Sequence, residues 1–270
     1  MVRNIKLVLA YDGTDFAGFQ VQPGKRTVQG ELTAALAKIL GEEVKVIGAG
    51  RTDAGVHARA QVVNFATAAP IPTSRLPAAL NSCLPPDLTV WQAEEVPADF
   101  HARYAAQGKT YRYLIHQAPQ PSPFLRRYSW HLPRPLDVAA MQAAAAQLIG
   151  EHDFSSFCAA GGAAKTRVRT LRRLTLGGEG GLLLVEAAAD GFLYKMVRNL
   201  VGTLVEVGRG AFTPDDVQRI LAGRDRSLAG PTAPPQGLIL WEVDYGRGRG
   251  PETPGGVALT PPWACVKITL

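Results

Sequence analysis

Residues Arg3 to Tyr11 alternate in polarity, with Ile5, Leu7, Leu9 and Tyr11 on one side of an extended chain. A period of two predicts a strand with one buried face, ended by the turn pair Asp12-Gly13. The period then lengthens. Val28, Leu32, Ala35, Leu36 and Ile39 form a helical stripe, with Thr27 placed to cap its start and Gly41 to stop it. Val44 to Ile47 and Gln61 to Phe65 read as two further strands on either side of a glycine-rich stretch, Gly48 to His57. Thr73 opens a short helix ahead of Pro85-Pro86, and a strand follows near Leu88 to Glu94. The order β-α-β-β-α-β is that of a ferredoxin-like half.

A related order follows. Thr110 to His116 is a predicted strand with Tyr111, Tyr113 and Ile115 on one face. Asp137 caps a helix carrying Val138, Met141, Leu148 and Ile149, closed by Gly150. Arg167 to Leu176 and Leu182 to Ala188 make a hairpin, with Arg167 and Arg169 on one face and Val168 and Leu174 on the other. A helix near Leu193 to Val207 buries Met196, Val197, Leu200, Val201, Leu204 and Val205. Thr213-Pro214-Asp215-Asp216 starts another, with proline at its first position and acids in its first turn. Gly237 to Tyr245 is a closing strand. The expected fold class is α+β: two ferredoxin-like or RRM-like halves, residues 1–104 and 105–246, with antiparallel sheets, helices on one face and a central basic cleft. Residues 247–270 form a Gly/Pro-rich tail in which Ala264 to Leu270 has the pattern of an edge strand.

Composition narrows the classes. With 270 residues, 46% of them hydrophobic, the chain can bury one or two cores. The net charge of +6 suits an anionic partner such as nucleic acid. Cys83, Cys158 and Cys265 are far apart and odd in number, which predicts neither a disulfide framework nor a zinc site. The five histidines show no HExxH spacing, and there is no phosphate-binding or dinucleotide glycine motif. The first residues lack the features of a signal peptide, and no stretch approaches a membrane span. A cytoplasmic protein without membrane partners is expected.

The stretch richest in chemistry is Gly48-Ala-Gly-Arg-Thr-Asp-Ala-Gly-Val-His57. Its three glycines allow close backbone approach, and they bracket Arg51 and Asp53. These residue types leave open whether Asp53 is a catalytic carboxylate, a turn former or an ion partner of Arg51. Gly50 to Ala58, however, resembles the signature of the tRNA pseudouridine synthase A family. Further matches run in order: Tyr11 to Gln20, Thr27 to Leu32, Phe100 to Arg103, Lys109 to Tyr113, Gly191 to Asn199 and Ala233 to Leu238.

The resemblance implies a cofactor-free isomerase. It breaks the N1–C1′ bond of a tRNA uridine, turns the uracil and joins C5 to C1′. It implies targets on the 3′ side of the anticodon stem-loop and a homodimer. Residue by residue, Asp53 matches the catalytic aspartate, acting as nucleophile or base at C6 or C1′. Arg198 matches its basic partner, Arg51 the arginine that holds the target nucleotide out of its stack, and Tyr111 the tyrosine that packs on the uracil. Leu238 is expected to line the apolar wall of the pocket. With tRNA as substrate, Arg103, Lys109, Arg112, Arg167 and Arg169 become expected RNA contacts, and His57 is expected to be structural.

Two other classes compete on the residues alone. An RRM-like binding module would use Tyr111 and Tyr113 as stacking platforms, but it leaves Gly50 to Ala58 unexplained. A metal-dependent nuclease would need clustered acids, whereas Asp53 stands apart.

Overall fold

In the computed structural model, β1 (Arg3–Tyr11) forms where the alternation predicts it, but both of its faces are covered. Lys6, on the side expected to meet solvent, is 2% exposed. Its ammonium pairs with Glu94 and lies 5.9 and 5.5 Å from the ring centres of Phe100 and Tyr245. A buried charge persists where a counter-ion and aromatic faces replace its water. The structure describes residues 1–162 and 164–246. The tail 247–270, with its expected edge strand and Cys265, lies outside the described residues.

The described chain divides into two units. The first holds Met1–Gln107 and, among the described residues, 239–246. Here α1 (Val28–Leu40) starts at Thr27, whose side chain accepts from Gly30 N, and stops at Gly41 with φ of 72°. The expected strand at Val44 to Ile47 shrinks to β2 (Ile47–Gly48), whereas β3 (His57–Thr67) is longer than its apolar core suggested. A 3-10 turn, Thr73–Arg75, leads into α2 (Leu76–Asn81), followed by β4 (Leu88–Val96). The strand order is β4-β1-β3-β10, with β2 also on β3. Here β10 spans Leu238–Asp244 and pairs parallel to β3, Ile239 opposite His57; the other pairings are antiparallel.

The second unit holds Gly108–Leu238. Its strands are β5 (Gly108–Gln117), β6 (Trp130–Leu132), β7 (Gly150–Asp153), β8 (Val168–Glu179) and β9 (Leu182–Ala189). They run in the order β5-β9-β8-β7, antiparallel throughout, and β6 pairs parallel to β5. With three and four residues, β6 and β7 are too short for a period to betray them. Its helices are α3 (Val138–Ala146), α4 (Met196–Gly208) and α5 (Pro214–Gly223). Asp137 caps α3 as expected, accepting from Ala140 N at 2.9 Å, but the helix ends at Ala146, before Gly150. Gly150, with φ of 113°, instead opens β7.

The expectation that Val168 faces inward with Leu174 is corrected: Val168 is 42% exposed. Along β8 the register slips between Leu171 and Arg173, leaving Arg172 as an extra residue. A bulge of one residue reverses which parity faces the core, so Leu171 and Leu174 are both buried. Arg167 precedes the strand and does not share a strand face with Arg169.

At α5 the cap is reciprocal. Thr213 accepts from Asp216 N, and Asp216 accepts from Thr213 N at 2.7 Å. Donation from Thr213 N, and then from Thr213 Oγ1, holds the Asp216 carboxyl below its ordinary range. A carboxyl so lowered stabilises the fold above its unfolded pKa, and this contribution is lost as pH falls through the folded value. Thr213→Ala is expected to cost about 1 kcal/mol, read as a shift in the denaturant midpoint at neutral pH.

Candidate active site

The Asp53 loop is shaped by residues far from it in sequence. Its backbone is gripped by the segment after β1: Phe19 N donates to Thr52 O at 3.1 Å and Gly55 N to Phe16 O at 3.4 Å. Two glycines make the approach possible. A Cβ on Gly13 would lie 2.0 Å from Val56 O. One on Gly18, whose φ is +100°, would lie 2.9 Å from Thr52 O. On its far side the same segment meets α1, whose first amides, Val28 N and Gln29 N, donate to Gly18 O and Phe19 O. Helix-start donors that would otherwise need water or a cap are thus satisfied by the loop.

Side chains lock the loop from beneath. The Tyr11 hydroxyl and Thr52 Oγ1 lie 2.8 Å apart, and Gln61 Nε2 donates to Gly50 O at 3.0 Å. Burial pushes the Tyr11 hydroxyl up to about 12, against the lowering by its bonds to Thr52 and Gln61. It therefore stays neutral and serves as a fixed polar strut. His57 is buried, with Nδ1 accepting from Gly13 N at 3.0 Å and Asp12 Oδ1 3.1 Å from the same nitrogen. Above this support Asp53 is half-buried and Arg51 exposed. The result is a carboxylate on a loop fixed at both ends, partly desolvated, with an exposed guanidinium two residues away.

In the second unit, Tyr111 lies on β5, opposite Ala187 of β9, and is 8% exposed. The ring of Phe192 meets it edge to face at 5.1 Å. Tyr113 is fully buried, its hydroxyl donating to Pro234 O at 2.8 Å, and burial raises its pKa well above the ordinary phenol range. It is a core residue, not the stacking platform that an RRM-like module would require.

Arg198 occupies the first turn of α4 and is half-buried. Its Nε donates to Ala233 O at 2.7 Å, and Ala233 N returns a bond to Arg198 O at 3.0 Å. The chain from 229 to 234 is strapped to α4 at further points. Gly230 N donates to Thr203 Oγ1, and Thr232 Oγ1 donates to Asn199 Oδ1 at 2.7 Å, which Arg226 also reaches. Leu238 is buried at the start of β10, just after the 3-10 turn Pro235–Gly237.

The expected RNA contacts sit in different settings. Arg103 is exposed and Lys109 half-buried on β5. Arg112 Nε binds the buried Glu186 at 2.8 Å, and Arg173 takes the other oxygen of that carboxylate. Arg167 contacts Cys158 Sγ, and Arg169 donates to Thr166 O. Sequence reasoning missed Tyr11, Thr52 and Gln61 beneath the loop, and Phe192 and Asn199 around Tyr111 and Arg198. The signal lay in the ordered motifs: Tyr11 to Gln20 and Gly191 to Asn199 contain Tyr11, Phe192 and Asn199, and Gly50 to Ala58 contains Thr52, while Gln61 lies in none of them. Among the described residues, no three His, Cys, Asp or Glu side chains gather to hold a metal ion, and no helix is long and apolar enough to cross a membrane.

The profile of a family described as tRNA pseudouridine synthase matches residues 7–105 and 144–246. The tRNA pseudouridine synthase A of Moorella thermoacetica is 54% identical over 243 residues, covering 89% of this chain and 99% of its own. That of Halalkalibacterium halodurans is 52% identical over 249 residues, covering 92% and 95%. Among solved structures, the archaeal box H/ACA sRNP Nop10–Cbf5 complex contains a chain with 14% identity and a TM-score of 0.33, covering 74% of this chain and 53% of that one.

Proposed function

The chain belongs to the tRNA pseudouridine synthase family, and on that premise we propose how its residues divide the work of converting uridine to pseudouridine. Asp53 is the reacting carboxylate, nucleophile or base. The N1–C1′ bond breaks, the uracil turns, and a C5–C1′ bond forms; the C5 proton leaves and N1 ends up protonated. Arg198 is the cation that keeps the carboxylate ionised as water is excluded. Tyr111 offers its ring to the uracil, Leu238 supplies apolar wall, and Arg51 holds the target nucleotide out of its stack, as a planar cation can.

The observation that carries this reading is the construction of the Asp53 loop. Its backbone is pinned through close approaches at Gly13 and Gly18 and through the neutral Tyr11 strut. A carboxylate that served only as a surface turn former would not need to be held this way. Preorganisation of a reacting group is what such support provides.

The reading extends to the anticodon stem-loop as target, phosphate contacts from Arg103, Lys109, Arg112, Arg167 and Arg169, a homodimer, and a cytoplasmic setting. Its support is the ordered motif resemblance and the net charge of +6. The test is tritium release from tRNA labelled at uridine C5, followed by mass-spectrometric mapping of the product. One tritium released per pseudouridine formed, within the stem-loop, is the expected result. Modification confined to other parts of the tRNA would overturn the target assignment, and sedimentation of the purified protein decides the dimer.

A further inference from the structure

The segment leading out of β4 ends in an aromatic side chain that the rest of the fold leaves uncovered. Tyr104 is 77% exposed, yet its ring is not loose: it stacks on His101 with centres 4.2 Å apart and planes 30° from parallel. His101 is itself fixed, because its Nδ1 accepts from the backbone amides of Arg103 and Tyr104 at 3.2 and 3.4 Å. Ala105 N closes the turn on His101 O at 2.9 Å. The exposed guanidinium of Arg103 flanks the stack, 5.9 Å from the Tyr104 ring centre.

The base of this turn is tied to the sheet by a partly buried polar network. Asn4 Nδ2 donates to Pro97 O and Phe100 O, and Asn64 Oδ1 accepts from Ala102 N at 2.9 Å. The Tyr245 hydroxyl donates to Ala102 O at 2.7 Å, and its ring packs on Phe100. A buried asparagine is costly unless its bonds are made, and the buried Asn64 makes its bonds to this segment and to the half-buried Asn4. The sheet therefore presents a two-ring stack with one face covered and the other open to solvent, beside a cation.

We propose that His101 and Tyr104, flanked by Arg103, form a platform on which an unpaired nucleobase of the tRNA stacks, outside the reacting site, with Arg103 on the adjoining phosphate. The inference rests on the reading of tRNA as substrate. An open aromatic face accepts any base, a neighbouring guanidinium suits the backbone that carries it, and the protein's positive charge matches a polyanion. The platform acts in binding. It touches no reacting atom.

The experiment measures filter binding and single-turnover tritium release, at saturating protein, for an unmodified tRNA transcript. Tyr104→Ala is expected to weaken binding about tenfold, within the range for loss of one stacked base, and to leave the saturated single-turnover rate within about twofold. Tyr104→Trp, which keeps a planar face, should restore affinity. Arg103→Gln should lower the slope of log affinity against log salt by about one. Because Tyr104 is exposed, these variants should fold, and circular dichroism verifies it. Unchanged affinity in Tyr104→Ala would overturn the platform while leaving the enzyme's activity intact. A changed sedimentation coefficient with unchanged RNA affinity would reassign the rings to contact between copies of the chain. A wild-type protein that releases no tritium would overturn both this inference and the functional reading beneath it.

Discussion

Asp53→Asn is expected to lower turnover by a factor on the order of 10⁴ or more while leaving affinity for tRNA near that of the wild type. The size follows from removing a group that forms or breaks bonds with the substrate, where losses far exceed those from removing a contact. Binding should survive because asparagine has the same shape, and the loop is held largely through its backbone, by Phe19 N on Thr52 O and Gly55 N on Phe16 O. Tritium release from C5-labelled tRNA measures the first quantity and a filter-binding curve the second. Activity within tenfold of wild type, in protein whose circular dichroism is unchanged, would remove Asp53 from the chemistry. Equal loss of binding and turnover would instead mark it as a residue that shapes the loop.

The second large effect is expected at a residue without a side chain. A Cβ on Gly202, in the middle of α4, would lie 1.7 Å from Pro231 O and 2.9 Å from its carbonyl carbon. Backbone cannot rotate away as a side-chain tip can, so either the strap or the helix must move. Overpacking of this kind costs about 3 kcal/mol at the upper end of the usual range, which lowers Tm by roughly 6–12 °C in a protein of this size. Gly202→Ala should therefore unfold earlier in a calorimetric scan. It should also lose activity beyond what the lost stability explains, because the displaced strap carries Ala233, the residue that anchors Arg198 at both Nε and backbone oxygen. Gly210→Ala is the comparison: its φ of +76° brings strain, but a Cβ there meets nothing within 4 Å. Its Tm should fall less and its activity, measured well below Tm, should hold. A Gly202→Ala protein as stable as wild type would mean that the strap yields at little cost.

What could be read from the sequence was what a few neighbouring residues decide. Thr27 and Gly41 bound α1, and Thr213-Pro214 opens α5, because caps act over three or four positions. The Asp53 stretch was legible as a motif, but its support was not: Tyr11 and Thr52 stand 41 positions apart, and no local pattern joins them. No local pattern singles out Gly202, since the carbonyl that excludes a side chain arrives at Pro231. Val168 was misplaced because alternation assumes an unbroken ladder, and the extra residue at Arg172 breaks it. Lys6 looked solvent-facing because its polarity fits the outer side of a strand. The rings of Phe100 and Tyr245 that cover it come from the turn after β4 and from the residue just past β10.

The pairing of β10 with β3 also sets an order of events during synthesis. His57 meets Ile239 across about 180 residues of intervening chain. At roughly 5–20 residues per second on the ribosome, that interval lasts about 10–40 s. Throughout it, the His57 end of β3, next to the Asp53 loop, lacks its parallel neighbour and presents an open ladder edge of the kind that pairs indiscriminately. The part of the molecule that emerges first is therefore among the last to be finished. A nascent chain stalled before β10 would leave the strand that carries the loop with this edge open.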